Sequence, residues 1–256
     1  MKNCKLIVMD LDHTLLRKDK SISEFTLATL NECRKRGILI GFATARPVRG
    51  VEAIRKIFEP DVLINHNGAV VSVDEVQRSL GIKAEYLYTM LNKINTNFPN
   101  AEIGVESDDV FYANYDVTKN WPDEPYMKAT ADFSEFQLSY ADKVLVSLDA
   151  VDADLLKACL PESCYLEIAD GFMGMIMSKK ATKFNAISSV CDVLGIGPSE
   201  VVCFGDDDND ISMLAGCGVG IAMGNANDKV KEIADAICLT NEEDGVARWI
   251  SEFVLE

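Results

Sequence analysis

Short runs of uninterrupted apolar residues alternate with stretches whose apolar positions recur every three or four residues. Leu6-Ile7-Val8-Met9, Ile38 to Ala43 and Val62-Leu63-Ile64 are the first such runs. Runs this short and this apolar predict strands buried on both faces, as in a parallel sheet. Between the first two, Ser23 predicts the cap of a helix ending at about Arg36, with Gly37 as its stop. Its apolar positions, Phe25, Ala28, Leu30 and Cys33, fit helical spacing loosely. Pro47 predicts the opening of a second helix that carries Val51, Ile54, Ile57 and Phe58, with Pro60 just past it.

The pattern changes after about Val73. A helix is predicted from Ala84 to Ile94, then a polar stretch, 95–128, that contains Trp121-Pro122 and Pro125 and reads as loop. Strand Val144 to Leu148, helix Ala153 to Leu160 and strands at 165–168 and 173–177 follow. The first pattern resumes with a helix from Lys183 to Leu194, whose Phe184, Ile187, Val190, Cys191 and Leu194 share a face. Strands at 201–204, 219–222 and 237–239 alternate with helices at 211–215, 228–234 and 245–253. The expected fold is α/β. Residues 1–80 and 183–256 form a doubly wound, mainly parallel core, and 81–182 form an inserted α/β unit.

The chain has 256 residues, of which 48% are hydrophobic, enough for two compact domains. Its formal net charge of -16 argues against nucleic acid or an anionic membrane as partner. A phosphorylated ligand must therefore find local positive charge inside a negative protein. Only four apolar residues separate Lys5 from Asp10, too few for a signal-peptide core, and no run approaches a membrane span. The eight cysteines show no C-x-x-C spacing, which predicts buried reduced thiols and a cytoplasmic protein.

Two of the apolar runs end in carboxylates. Asp10 and Asp12 follow the first, and Gly205-Asp206-Asp207-Asp208-Asn209-Asp210 follows Val201 to Phe204. Brought to one point, such groups repel one another unless a cation lies between them, and hard oxygen ligands suit Mg²⁺. The stretch from Asp206 to Asp210 mimics the start of a calcium loop, but Ile211 stands where that loop needs Gly and Cys217 where it needs Glu. Gly216-x-Gly218-x-Gly220 precedes a strand instead of following one, so it predicts a turn and not a dinucleotide site.

Asp10-x-Asp12-x-Thr14, Thr44-Ala45-Arg46, Lys183 at a helix start and Gly205-Asp206-x-x-Asn209-Asp210 occur in that order, each after its expected element. Together they resemble the haloacid dehalogenase superfamily of phosphohydrolases, its Cof-type subfamily (subfamily IIB) in particular. Asn67-Gly68-Ala69, the stretch Gly220 to Ala226 and Glu243-Asp244-Gly245-Val246-Ala247 resemble that subfamily too. The resemblance implies a Mg²⁺-dependent phosphatase that cleaves a small phosphorylated metabolite, best guessed as a sugar phosphate, through an aspartyl-phosphate. It implies Asp10 as nucleophile and Asp12 as general acid and base. Mg²⁺ would be held by Asp10, the Asp12 carbonyl and Asp206. Thr44, Lys183 and Asn209 would touch the phosphate, and Asp210 and Arg46 would lie behind them. Segment 81–182 would be a specificity cap.

The family usually has Gly where this chain has His13, Ala45 and Phe184; none of these changes removes a reacting group. A phosphomutase acting on a sugar phosphate is the nearest rival. It needs a second basic cluster, and none is evident in the sequence. A non-catalytic metal-binding protein of the same fold is the rival from another class, and retention of both Asp10 and Asp12 argues against it.

Overall fold

The computed structural model describes residues 3–74, 76–119, 127–130, 132–169 and 171–256. Trp121, Pro122 and Pro125, invoked above, lie outside them, as do Met1 and Lys2. The chain divides into two compact units, Met1–Arg78 with Thr182–Glu256, and Ser79–Ala181.

In chain order the elements begin with β1 (Leu6–Met9), α1 (Glu24–Lys35), β2 (Leu39–Ala43), α2 (Glu52–Arg55), β3 (Val62–Asn65), β4 (Val70–Val73) and β5 (Val76–Ser79). Next come β6 (Ile82–Lys83), α3 (Ala84–Asn97), β7 (Ile103–Ser107), β8 (Val110–Ala113), β9 (Met127–Ala129), β10 (Tyr140–Ala141), β11 (Lys143–Ser147), α4 (Ala153–Cys159), β12 (Cys164–Ala169) and β13 (Met173–Ser178). The chain closes with α5 (Lys183–Leu194), β14 (Val201–Gly205), α6 (Ile211–Gly216), β15 (Val219–Ala222), α7 (Asp228–Ile233), β16 (Ala236–Ile237) and α8 (Gly245–Phe253).

The first unit is built on a sheet of order β16-β15-β14-β1-β2-β3-β4-β5. From β16 to β3 every pairing is parallel, and β4 turns back antiparallel on β3. All four side chains of β1 are fully buried, as a strand covered on both faces requires. Each contributes roughly 1.5–3 kcal/mol of burial free energy. The order runs 1-2-3 in one direction from β1 and 14-15-16 in the other. The chain therefore leaves the carboxyl ends of β1 and β14 in opposite directions, and the crevice at such a switch point is where open α/β sheets bind ligands.

Helix starts and stops follow local chemistry. The Ser23 hydroxyl accepts from the Thr26 amide and Gly37 takes φ +79° after α1. Thr182 accepts from the Asn185 amide at the start of α5, and Gly195 takes φ +68° at its end. Two expectations need correction. The helix expected after Pro47 is one 3₁₀ turn, Arg49–Val51, followed by the four residues of α2, which leaves Ile57 beyond it and exposed. On α1 the buried face is Thr26, Thr29, Leu30 and Cys33, and Phe25 lies outside it under the Arg248 guanidinium.

The second unit has a six-stranded sheet, β12-β13-β11-β7-β8-β9, and a small ribbon, β10-β6. Leu87, Met90, Leu91 and Ile94 of α3 pack on Ile103, Val105, Val144, Val146 and Ile176, which share one sheet face by period two. A smaller cluster of Phe111, Ala113, Leu145 and Met173 occupies the other face. Gly104 admits the Phe111 ring, because a Cβ there would lie 2.2 Å from it. The stretch expected as loop, 95–128, holds β7 and β8 and the first residues of β9. The β7–β8 hairpin turns at Asp108 and Asp109, both left-handed, in place of the usual Asn-Gly or Asp-Gly pair.

No helix among the described residues is long and apolar enough to cross a membrane. All eight cysteines are free thiols, six of them buried.

Candidate active site

The parallel register places the ends of β1, β2, β3 and β14 along one edge of the sheet, and the site grows from those ends. Asp10 follows β1, and its amide donates to the Phe204 carbonyl on β14, which ties the two strand ends together. Asp206 follows β14, and Asp210 comes one short turn later. Gly205 makes that turn feasible, since a Cβ there would lie 2.5 Å from the Asp210 carboxyl carbon. Asp210 folds back, and its Oδ2 accepts from the amides of Asp206 and Asp207 at 2.8 and 3.1 Å.

Lys183, the first residue of α5, is buried with its charge. Its Nζ donates to Asp10 Oδ1 and to Asp210 Oδ1, each at 2.6 Å. A buried ammonium is costly unless paired, and here two carboxylates pair it. Burial alone would lower its pKa, but the charges of Asp10 and Asp210 outweigh burial and hold it protonated. Gly68 takes φ +106°, and a Cβ there would lie 2.3 Å from the Thr182 carbonyl. The Asn67-Gly68 turn therefore packs against the start of the helix that carries Lys183.

Carboxylate oxygens of Asp10, Asp206 and Asp210 lie within 4.8 Å of one another. Burial pushes the Asp10 carboxyl up to about 8, against the pull of Lys183 and with the help of Asp210. Burial likewise raises Asp206 to about 6, opposed by a hydrogen bond from the Thr14 hydroxyl at 2.7 Å. Asp210 commits both oxygens to Lys183 and to backbone amides. Asp10 Oδ2 and Asp206 Oδ2 have no bond among the described residues. Two crowded carboxylates, each with an open oxygen and each pushed toward its neutral form, fit a hard divalent cation such as Mg²⁺.

Asp12 is different. Burial would raise its pKa, but hydrogen bonds from Arg46 and Lys20 outweigh burial and hold it down at about 2. Arg46 grips it with a fork, Nε to Oδ2 at 2.7 Å and Nη2 to Oδ1 at 2.6 Å. Lys20 Nζ donates to Oδ1 at 2.7 Å. The sequence reading missed Lys20. The only sequence clue was the basic residue content of the turn after Leu16, where Arg17 and Lys18 are also basic.

The remaining expected residues sit nearby with partners of their own. Thr44 is buried after β2, and its hydroxyl accepts from the Arg46 amide. Asn209 donates to the Asn67 side chain at 3.0 Å, so the end of β3 meets the turn after β14. His13 takes φ +61°, a left-handed conformation that suits Gly, and its carbonyl accepts from Asn225 at 2.8 Å. Its imidazole is near enough to Asp206 to favour the carboxylate slightly. Phe184 fills the space where Gly216 has no side chain. The two downstream segments noted above anchor this end of the site. Asn225 holds His13, while Asp244 pairs with Arg17 at 2.9 Å.

The model of the haloacid dehalogenase-like hydrolases matches residues 7–250. Among curated proteins, the chain is 31% identical to 5-amino-6-(5-phospho-D-ribitylamino)uracil phosphatase YitU of Bacillus subtilis, over 97% of each chain. It is 27% identical to a phosphoglycolate phosphatase of Methanopyrus kandleri, over 98% of this chain and 97% of that one. Among solved structures, a haloacid dehalogenase-like hydrolase from Bacteroides thetaiotaomicron superposes with a TM-score of 0.82 at 26% identity, covering 97% of this chain and 98% of that one.

Proposed function

This chain belongs to the haloacid dehalogenase-like hydrolases of the Cof type and is a phosphatase, and from that membership we propose that it hydrolyses a small phosphorylated metabolite, a sugar phosphate, through an aspartyl-phosphate on Asp10. The observation that carries this reading is the contact of Asp10 with Lys183 beside the open oxygens of Asp10 and Asp206, at the end of β1. The ribityl phosphate named for YitU supports a polyol or sugar ester as the substrate class.

Asp10 attacks phosphorus in line. The Asp10 O–P bond forms as the ester P–O bond breaks, and Asp12 supplies the proton that the departing alcohol needs. Water then attacks phosphorus, Asp12 takes its proton, the Asp10 O–P bond breaks to restore the carboxylate, and inorganic phosphate leaves. The two halves ask opposite things of Asp12. Arg46 and Lys20 hold it as the anion, its state for the second half, so substrate binding must loosen that grip before the first. Lys183 neutralises charge on the transferring group, and the Thr44 hydroxyl and Asn209 amide donate to its oxygens.

Asp10, Asp206 and the Asp12 carbonyl would hold Mg²⁺, with Asp210 fixing Lys183 behind them. Bound there, the ion would polarise a phosphoryl oxygen and offset the ester's charge. We assign choice of the alcohol to the inserted segment, 81–182.

The test is a screen of phosphorylated metabolites with Mg²⁺ that measures free phosphate and product isomerisation side by side. Phosphate release with unrearranged alcohol is the expected result. Isomerisation without release would make the protein a mutase, and inertness toward all esters would remove the enzymatic reading.

A further inference from the structure

Lys20 stands at the acid–base residue with donors to spare. Its ammonium carries three N–H groups, and among the described residues Asp12 is its one partner. Arg46, by contrast, spends two nitrogens on Asp12 and a third on the Gly50 carbonyl. The Lys20 side chain is 53% exposed, so the remaining donors are open to a ligand.

The position is built. Lys20 takes φ +65°, a left-handed conformation that residues bearing a side chain seldom adopt. The turn closes through the Lys20 amide on the Arg17 carbonyl at 2.9 Å and the Arg17 amide on the Ser21 carbonyl at 3.1 Å. It is pinned from outside by the Arg17–Asp244 ion pair and by the Lys18 amide on Glu242 at 2.7 Å. Two cations meet one carboxylate at Asp12, in a chain whose net charge is -16.

We propose that Lys20 is a specificity-determining residue that takes a second anionic group, a carboxylate or another phosphate, on the alcohol of the ester, close to the bond that breaks. This rests on the phosphatase reading with Asp12 facing the leaving oxygen. Lys20 rests one hydrogen bond from the carboxyl group that faces the leaving oxygen, which sets the ammonium about 5 Å from that oxygen as the substrate arrives. An anionic group on the carbon next to the ester carbon spans that gap, and an aliphatic or uncharged alcohol leaves the ammonium with water. A charge-assisted hydrogen bond of this kind changes selectivity about tenfold or more.

Three matched esters test it with Mg²⁺ and the full-length protein: phosphoglycolate, ethylene glycol bisphosphate and ethylene glycol monophosphate. The wild type is expected to favour one or both of the first two over the third by about tenfold in kcat/KM, and which of them identifies the anion. In Lys20→Met that ratio collapses toward one, chiefly through KM, and Lys20→Arg restores it. An undiminished ratio in Lys20→Met overturns the proposal, as does a wild type that hydrolyses all three equally. Equal loss on all three esters also overturns it, since Lys20 would then serve Asp12 or the fold alone. Failure of the phosphatase reading is separate, because the wild type would then release phosphate from none.

Discussion

Gly205 leaves empty the space that the carboxyl group of Asp210 fills; a Cβ there would lie 2.5 Å from that carboxyl carbon. Asp210 in turn holds Lys183, and Lys183 holds Asp10. One missing side chain on β14 thus sets the position of a buried charge on α5. Gly205→Ala is expected to cost about 1–3 kcal/mol, as overpacking does, and to lower turnover at least tenfold by displacing Asp210. Thermal unfolding and steady-state rates check both. A variant of normal activity would remove Asp210 from the chain of contacts.

Asp10→Asn is expected to reduce phosphate release by more than a thousandfold with the fold intact. The amide cannot displace an alcohol from phosphorus, whereas its shape and its bond to Lys183 are nearly preserved. Circular dichroism and turnover on a generic aryl phosphate are the measurements. Residual activity near that of the parent would move the nucleophile to another residue.

Activity is expected to vanish in EDTA and to return with Mg²⁺, and the affinity for the ion should rise with pH. A proton competes for Asp10, pushed up to about 8, and for Asp206, pushed up to about 6. Binding therefore tightens by up to about tenfold per pH unit between 6 and 8, as roughly one proton is displaced. Calorimetry in two buffers of different ionisation enthalpy counts those protons. An affinity independent of pH would place the ion elsewhere.

Asp206→Asn should abolish Mg²⁺ binding yet stabilise the metal-free protein. Burial raises Asp206 above its unfolded value near 3.9, so its ionised form weighs against the fold at high pH and ceases to do so at low pH. At pH 8 in EDTA the gain is about 1–2 kcal/mol, allowing for partial solvent access. It shrinks as the pH falls through 6 toward 4. Denaturant melts at pH 8 and pH 5 distinguish this from a variant that is merely neutral, and destabilisation at pH 8 would contradict the reading of repelling carboxylates.

Much of the first unit was legible because its strands carry no polar interruption and its helices carry their own punctuation. Ser23 and Gly37 mark ends of α1 that the structure reproduces within a residue or two, and the helix expected from Lys183 to Leu194 is α5. The acidic clusters were legible for the same reason, since they sit where apolar strands stop. What failed had weak local signals. β5 is the polar run Val-Gln-Arg-Ser with all four residues exposed, so nothing marks it apart from loop. β7 and β8 turn at Asp108-Asp109, which carries the geometry of a tight hairpin without its usual glycine. Lys20 escaped notice because its role arises from a turn held by Arg17, Asp244 and Glu242, contacts between distant parts of the chain.

The pairing of Leu6 with Val201 also bears on how the molecule comes into being. β2 follows β1 closely in the chain, but the partner of the other flank of β1, β14, begins only at Val201. Until β14 docks, Asp10 lacks Asp206 and Asp210, the carboxylates that crowd it in the finished fold. Contacts of such wide sequence separation form slowly. The exposed flank is the place where unfinished copies would adhere to one another, and catalytic competence and safety from aggregation arrive in the same event.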